Sequence, residues 1–516
     1  MNEFYVFERK TEARSRSLFW GTSWIGAYTA INFLIRLARG FIIPRLLIPA
    51  TYGLWSSLSV VLGYARYADL GVQQQLGKRL PYELGNKGQI GYWNLSSRGI
   101  SWTICTSMAI SAGFFIYSYV YQGADAWFYQ PAFRLLALAI WVQNARSLFG
   151  VLLVARQEFR IVGINGALTD VTGLVLCVAG LLIKGVMGLV WALVLSELVG
   201  AIHCLYHLRQ FGIARLNWEL RGVVRMIREG LLLLGVAFTE LILMTVDQLF
   251  LLRFFSKYEF GIYAVGLFPV GALIGISGIF RTAEPRILEL SGSNQKEQSV
   301  KIVEASVVLC IIVSVICVAP FMLLIDLLVH FYLKEYSAGL AFFALMPAIA
   351  LARGPVIVLR SYFISQNRER QLISYQICGM ATAVLLNALI IWKHLDIPYV
   401  IFASTMGYLI TSVLMFIDFE RGLANFRIAK YAVHLISLIG VFFLFLFYTK
   451  RGAQPNTILY LAESFIINMI YLLVMICILV TTRQSWVEYI RIYFGGTRNP
   501  LLLRLKCRFQ AIIGYL

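Results

Sequence analysis

INFLIRLARGFIIPRLLIPATYGLW, residues Ile31 to Trp55, is apolar enough to enter a bilayer as a helix, yet it sets Arg36 and Arg39 three residues apart. Asn32, Arg36 and Arg39 stand at i, i+4 and i+7, a single face of a helix. An arginine at the centre of a membrane helix costs about 2.5–3.5 kcal/mol on insertion scales, so such a face belongs toward a bundle interior or a water-filled cavity. The stretch asks for a bundle with something polar inside it.

The rest of the chain supplies that bundle. Of 516 residues, 59% are hydrophobic and 14% charged, with mean hydropathy +0.75; soluble chains carry about a quarter charged residues. Apolar blocks long enough to cross the hydrocarbon core recur from end to end. They predict an all-α polytopic membrane protein of about fourteen transmembrane helices, near residues 18–42, 52–76, 99–121, 131–155, 161–183, 186–207, 226–250, 259–280, 301–324, 338–360, 371–392, 398–418, 430–449 and 458–481. The polar start, MNEFYVFERKTEARSRS, is followed by no small-residue cleavage site, so the first helix is expected to remain in the mature protein.

The net charge of +19 is spread as membrane topology spreads it. Lys and Arg gather at the N-terminus, in every second loop and in the C-terminal tail, which predicts both termini in the cytoplasm. No soluble basic domain exists to hold a duplex, so nucleic acid is excluded as a partner. The eight cysteines show no Cys-x-x-Cys spacing and read as small apolar fillers. His203 and His207 have the spacing of a helical metal pair but no third ligand, and they read as interfacial residues; no metal is expected. Neither a phosphate-binding Gly-x-x-x-x-Gly-Lys-Ser/Thr loop nor a Gly-x-Ser-x-Gly elbow is present, so no cofactor and no catalytic activity are expected. Energy for any transport must come from a gradient or from the substrate.

The chain also repeats itself. A shift of 208 residues lays PRLLIPATYGLW (Pro44–Trp55) on LRFFSKYEFGIY (Leu252–Tyr263) and sets Lys78 on Arg286. RSLFGVLLVARQEFR (Arg146–Arg160) matches RGPVIVLRSYFISQNR (Arg353–Arg368) with a one-residue slip. These matches predict two pseudo-symmetric six-helix lobes around a central cavity, plus two extra C-terminal helices. The expected divisions are a cytoplasmic N-terminus at 1–17, an N-lobe at 18–208, a cytoplasmic linker at 209–225, a C-lobe at 226–425, the extra helices at 426–482 and a basic interfacial tail at 483–516.

Seven arginines fall inside predicted helices: Arg36, Arg39, Arg66, Arg134, Arg146, Arg353 and Arg360. Guanidinium stays charged at any physiological pH and presents a planar fork to oxyanions, so the set favours phosphate or carboxylate recognition. Structural ion pairs and snorkelling are the other uses of such residues, and Arg134 is read as snorkelling. Arg66 and Asp69, three residues apart, are expected to neutralise one another. Glu240 and Asp247 share a face of helix seven, and two readings stand open for them: ion coupling by proton or hard-cation binding, or pairing with arginines of the other lobe. Asp170 and Glu197 lie in helices five and six.

At IPRLLIPATYGLW, ARYADLGVQQQLGKRL, LLVARQEFR and VDQLFLLRFFSKYEFGIYAV, the chain resembles the polysaccharide transporters of the multidrug/oligosaccharidyl-lipid/polysaccharide exporter superfamily, the Wzx-type flippases. That resemblance spans about residues 18 to 480. It implies two lobes working by alternating access on undecaprenyl-pyrophosphate-linked oligosaccharide, an O-antigen or exopolysaccharide repeat unit, with H+ or Na+ as coupling cation. It also implies a place beside a polysaccharide polymerase and chain-length machinery. Arg36, Arg39, Arg66, Arg146, Arg353 and Arg360 would line the substrate cavity, and Asp247, Glu240 or Asp69 would couple the ion.

Other readings compete with it. A flippase for another lipid-linked precursor shares its features, while a drug exporter acting on cations would want an acidic cavity. A membrane polymerase or ligase would want a sizeable outer loop, and the outer connections here are short. The C-terminal NPLLLRLKCRFQAIIGYL reads as an interfacial helix rather than a partner-binding segment.

Overall fold

The computed structural model describes residues 31–32, 34–123, 125–156, 158–211, 217, 219–278, 287, 296–421 and 464–475. These residues form helices and short connections, with no strand among them. Ten helices among them are long and apolar enough to cross a membrane. The predicted helix at 430–449 and the tail at 483–516 lie outside the described residues.

The chain divides into two compact units, 1–241 and 242–516. Unit 1 holds α1 (residues 34–45), α2 (Pro49–Ala65), α3 (Val72–Val120), α4 (Ala126–Ala155), α5 (Phe159–Lys184) and α6 (Val186–Arg209), and the division falls within α7 (Leu220–Phe254). Unit 2 continues with α8 (Lys257–Gly278), α9 (Lys296–Phe331), α10 (Met346–Ser365), α11 (Glu369–Trp392), α12 (Ile397–Arg421) and α13 (residues 464–475).

The start of the bundle departs from the sequence reading. Instead of one helix over 52–76, α2 stops at Ala65 and α3 starts at Val72. Leu70 (φ 53°) and Gly71 (φ 85°) adopt left-handed backbone, which cannot continue an α-helix. A side chain on Gly71 would also meet the Gly230 carbonyl oxygen at 2.7 Å. Asp69 closes the break: its carboxylate accepts from the Gln73 N–H, its carbonyl from the Trp102 indole N–H at 3.1 Å. The expected connection at 77–98 is helical, which makes α3 49 residues long, roughly 74 Å at 1.5 Å per residue. Only Gly91–Val120 of it is apolar enough to span; the polar first half had read as a loop.

In unit 1, α4 packs on α3 and α6, and α5 packs on α6. The α5–α6 contact is a backbone contact, since a Cβ on either Gly180 or Gly188 would run into the other glycine. Two apolar cores meet α4 at different heights. Phe128, Phe133, Leu136 and Ile140 belong to one, with Trp55, Leu181 and Leu189. Leu148, Leu152 and Leu153 belong to the other, with Leu76, Tyr92 and Leu208. Residues 143–147, between them in sequence, are polar apart from Ala145.

Unit 2 is built around α10, which packs on α8, α9 and α12. From Met346 to Leu359 its described side chains are all buried, Arg353 among them.

Candidate functional site

In unit 1 the polar segment of α4 opens onto a cavity of about 660 Å³, bounded by Asn32 and Arg36 from the first helix, Arg66, Gln73 and Gln74 around the α2–α3 break, Gln143, Asn144, Arg146 and Ser147 of α4, and Asn165 and Gly166 of α5. The break has a function in this geometry: it ends α2 at Arg66 and starts α3 with Gln73 and Gln74, so three polar side chains arrive at one wall.

Three arginines predicted from sequence, Arg36, Arg66 and Arg146, line this cavity. Each has a different partner. Arg146 is ion-paired through Nε with Glu197, whose side chain is 9% exposed. Arg36 reaches Asp170 at 3.2 Å from a position 71% exposed. Arg66 has no ion pair among the described residues; Gln143 turns its amide oxygen to it and accepts from Nε at 2.6 Å and Nη2 at 2.8 Å. The expected Arg66–Asp69 pair does not form, because the Asp69 carboxylate is used at the start of α3. Three guanidinium groups against two carboxylates leave one positive charge on this cavity.

The remaining predicted residues are elsewhere. Arg39 lies toward Gly173, where a Cβ would sit 3.8 Å from its Nη1, and is not a lining residue. Arg134 donates to Ser118 Oγ at 3.3 Å and lies over the Tyr119 ring at 4.4 Å, near the end of α3, as a snorkelling residue would. Glu240 is half-buried on α7. Arg353 and Arg360 are on α10 of unit 2. Arg353 is buried, with its Nη2 at 2.7 Å from Met244 Sδ and its guanidinium 5.7 Å from the centre of the Tyr408 ring.

Asp247 of unit 2 is 3% exposed. Its carboxylate accepts from the Tyr263 hydroxyl and, at 2.7 Å, from the Gln248 N–H. Among the described residues of its own unit it has no ion pair. No group of three His, Cys, Asp or Glu suited to a metal occurs among the described residues.

The amide side chains around the arginines were not singled out from sequence. The signal was present in ADLGVQQQL and WVQNARS, where glutamine and asparagine interrupt apolar blocks that nothing else requires to be broken.

Known proteins match this chain in fold, and part of it matches a family model. Residues 42–271 match the model of a family described as polysaccharide biosynthesis protein. No curated protein sequence matches the chain. Among solved structures, the lipid II flippase MurJ in an inward closed conformation aligns with TM-score 0.62 at 11% identity, over 89% of this chain and 99% of that one. An inward-facing multidrug resistance transporter of the MATE family aligns with TM-score 0.58 at 12% identity, over 82% and 96%. A superfamily transporter from Pyrococcus furiosus, whose binding pocket is described as reversed in polarity, aligns with TM-score 0.55 at 14% identity, over 79% and 95%. The fold is the one these solved structures share, and ten of the described helices are long and apolar enough for a multi-pass membrane protein.

Proposed function

We propose that this transporter is a flippase for undecaprenyl-pyrophosphate-linked oligosaccharide, an O-antigen or exopolysaccharide repeat unit, which it moves from the inner to the outer leaflet of the bacterial cytoplasmic membrane by alternating access. The observation that carries the reading is the unit-1 cavity, where Arg36, Arg66 and Arg146 meet a ring of amide side chains inside a membrane bundle. Such a lining suits an anionic, hydroxyl-rich head group and repels the cations that a drug exporter of this fold would take. Arg39, Arg353 and Arg360 are proposed as further substrate contacts during the cycle, while the lipid tail stays in the bilayer. Both termini face the cytoplasm, where the polymerase substrate is assembled.

Direction follows from charge. A head group with about two negative charges gains roughly 4–5 kcal/mol on moving outward across 100 mV, inside negative, since each charge is worth about 2.3. The empty carrier returns with a proton or sodium ion on Asp247, a buried carboxylate that has hydroxyl and backbone partners in place of a cation. Asp69 is occupied at the helix break, and Glu240 is the second candidate on the same helix.

Purified protein in liposomes that hold labelled undecaprenyl-pyrophosphate oligosaccharide tests the proposal. Wild type should expose the glycan to an impermeant sugar-modifying reagent well above empty liposomes, and Arg66→Leu, correctly folded, should lose that activity. Exposure equal to empty liposomes across several glycans and ion gradients would remove the flippase reading.

A further inference from the structure

Four amide side chains on the unit-1 cavity are short of partners. Asn32, Gln73, Gln74 and Asn144 all line it, and each buries one amide atom that makes no hydrogen bond: the oxygens of Asn32 and Gln74, the nitrogens of Gln73 and Asn144. Asn144 is 2% exposed and Gln73 7%; the Gln73 oxygen, by contrast, accepts from Ser147 Oγ at 2.7 Å. Each unmade hydrogen bond of a buried polar group costs about 1–3 kcal/mol, and folded proteins keep few of them. Four around one cavity mark it as built for a ligand that completes them.

The kind of atom decides the kind of ligand. An ionised phosphate presents acceptors only, so it can serve the two nitrogens and leaves the two oxygens as they are. A sugar hydroxyl donates and accepts through the same atom, and an acetamido group carries both functions side by side. Charge points the same way, because Arg36 and Arg146 each already hold a carboxylate. Arg66 alone, bonded to the neutral Gln143, has charge to spare. The volume of about 660 Å³ falls within the roughly 300–1,000 Å³ of small-molecule sites.

We infer that the unit-1 cavity is a glycan-reading subsite, in which Asn32, Gln73, Gln74 and Asn144 hydrogen-bond the hydroxyl or acetamido groups of a sugar and Arg66 takes at most one acidic substituent. The inference rests on the flippase reading and deepens it: this cavity takes the oligosaccharide part of the head group. Gly150 borders the same space, and a Cβ added there would meet nothing within 4 Å. A larger side chain at that position fills the cavity without displacing a neighbour.

The test is equilibrium binding to the full-length detergent-purified protein, read by thermal stabilisation. The probes are a panel of free neutral sugars (hexoses, deoxyhexoses, N-acetylhexosamines and their disaccharides) and inorganic pyrophosphate. At least one sugar should stabilise wild type. Its affinity should fall about tenfold for each amide removed in Gln74→Leu/Asn144→Leu and vanish in Gly150→Leu, while pyrophosphate affinity stays within about twofold in the amide variant. If the double variant does not fold, Gly150→Leu decides alone. No stabilisation by any sugar of the panel, or equal stabilisation of wild type and Gly150→Leu, overturns the subsite. Sugar binding that obeys these expectations in a protein that exposes no glycan in liposomes would instead count against the flippase reading and leave the subsite standing.

Discussion

Both units place a carboxylate in the interior of a membrane bundle, and they leave it in different company. In unit 1, Glu197 is held by Arg146 and Asp170 by Arg36. In unit 2, the Asp247 carboxylate accepts from a tyrosine hydroxyl and a backbone N–H and has no cation beside it among the described residues of that unit. Desolvating an ion costs several kcal/mol after relaxation, and an opposite charge in good geometry offsets much of that. A carboxylate with such a partner can stay ionised throughout a transport cycle. One with only neutral donors is at the mercy of what reaches it, and a proton or a cation arriving there changes the local charge by a full unit. The paired carboxylates therefore hold a cavity in shape, and the lone one is suited to switching.

The largest effect should come from breaking the compensated pair in unit 1. Removing one partner strands the other charge, at a cost of about 3–5 kcal/mol, whereas replacing both by apolar residues of similar volume is often neutral. Glu197→Leu should lower the melting temperature strongly and reduce expression, and Arg146→Leu/Glu197→Leu should recover most of the loss. Melting curves of the single and double variants check this. If the double variant melts no higher than Glu197→Leu, the carboxylate is doing something other than neutralising Arg146.

How far these differences could be read from sequence depends on whether they are local. Helical periodicity and hydropathy placed most helices, and the arginine positions named three of the residues that line the cavity. The α2–α3 break was hidden because one of its causes is long-range: Gly71 must be glycine on account of the Gly230 carbonyl, far along the chain, while the nearby Gln73 backbone N–H turns the Asp69 carboxylate away from Arg66. The partners of the arginines were hidden for the same reason. Arg36–Asp170 and Arg146–Glu197 join different helices, and spacing within one helix says nothing about which helix will face it. Asp247 was visible as an acid in an apolar helix, but its tyrosine partner from α8 became visible only in the structure.

The lone carboxylate of unit 2 should give the next effect, and in function more than in stability. Asparagine keeps the shape of Asp247 and still accepts from Tyr263, while it removes the charge that must be desolvated. Asp247→Asn should melt at or above the wild-type temperature, and the gradient-stimulated part of glycan exposure should fall about tenfold or more, equivalent to roughly 1.4 kcal/mol on the driven step. Liposomes with and without an imposed ion gradient separate the two components. Gradient stimulation that survives in Asp247→Asn would move the coupling role to another group, Glu240 first.

The smallest effect on stability is expected at the second pair of unit 1, and it sharpens the comparison within that unit. Arg36 and Asp170 are as close as an ion pair requires, at 3.2 Å, but Arg36 is 71% exposed and Asp170 18%. Water competes for both groups, and exposed pairs are worth about 0–1 kcal/mol. Asp170→Asn should therefore shift the melting temperature by a few degrees at most, in contrast to Glu197→Leu. Its effect on the cavity runs the other way, since it removes one of two carboxylates set against three guanidinium groups and raises the positive charge there from one to two. Acidic glycans should bind the variant more tightly than they bind wild type, neutral ones about equally, and the gain should shrink as salt is added. A large loss of stability in Asp170→Asn would mean that Arg36 is held far more tightly than its exposure implies, and the division between a fixed pair and an adjustable one inside this cavity would have to be abandoned.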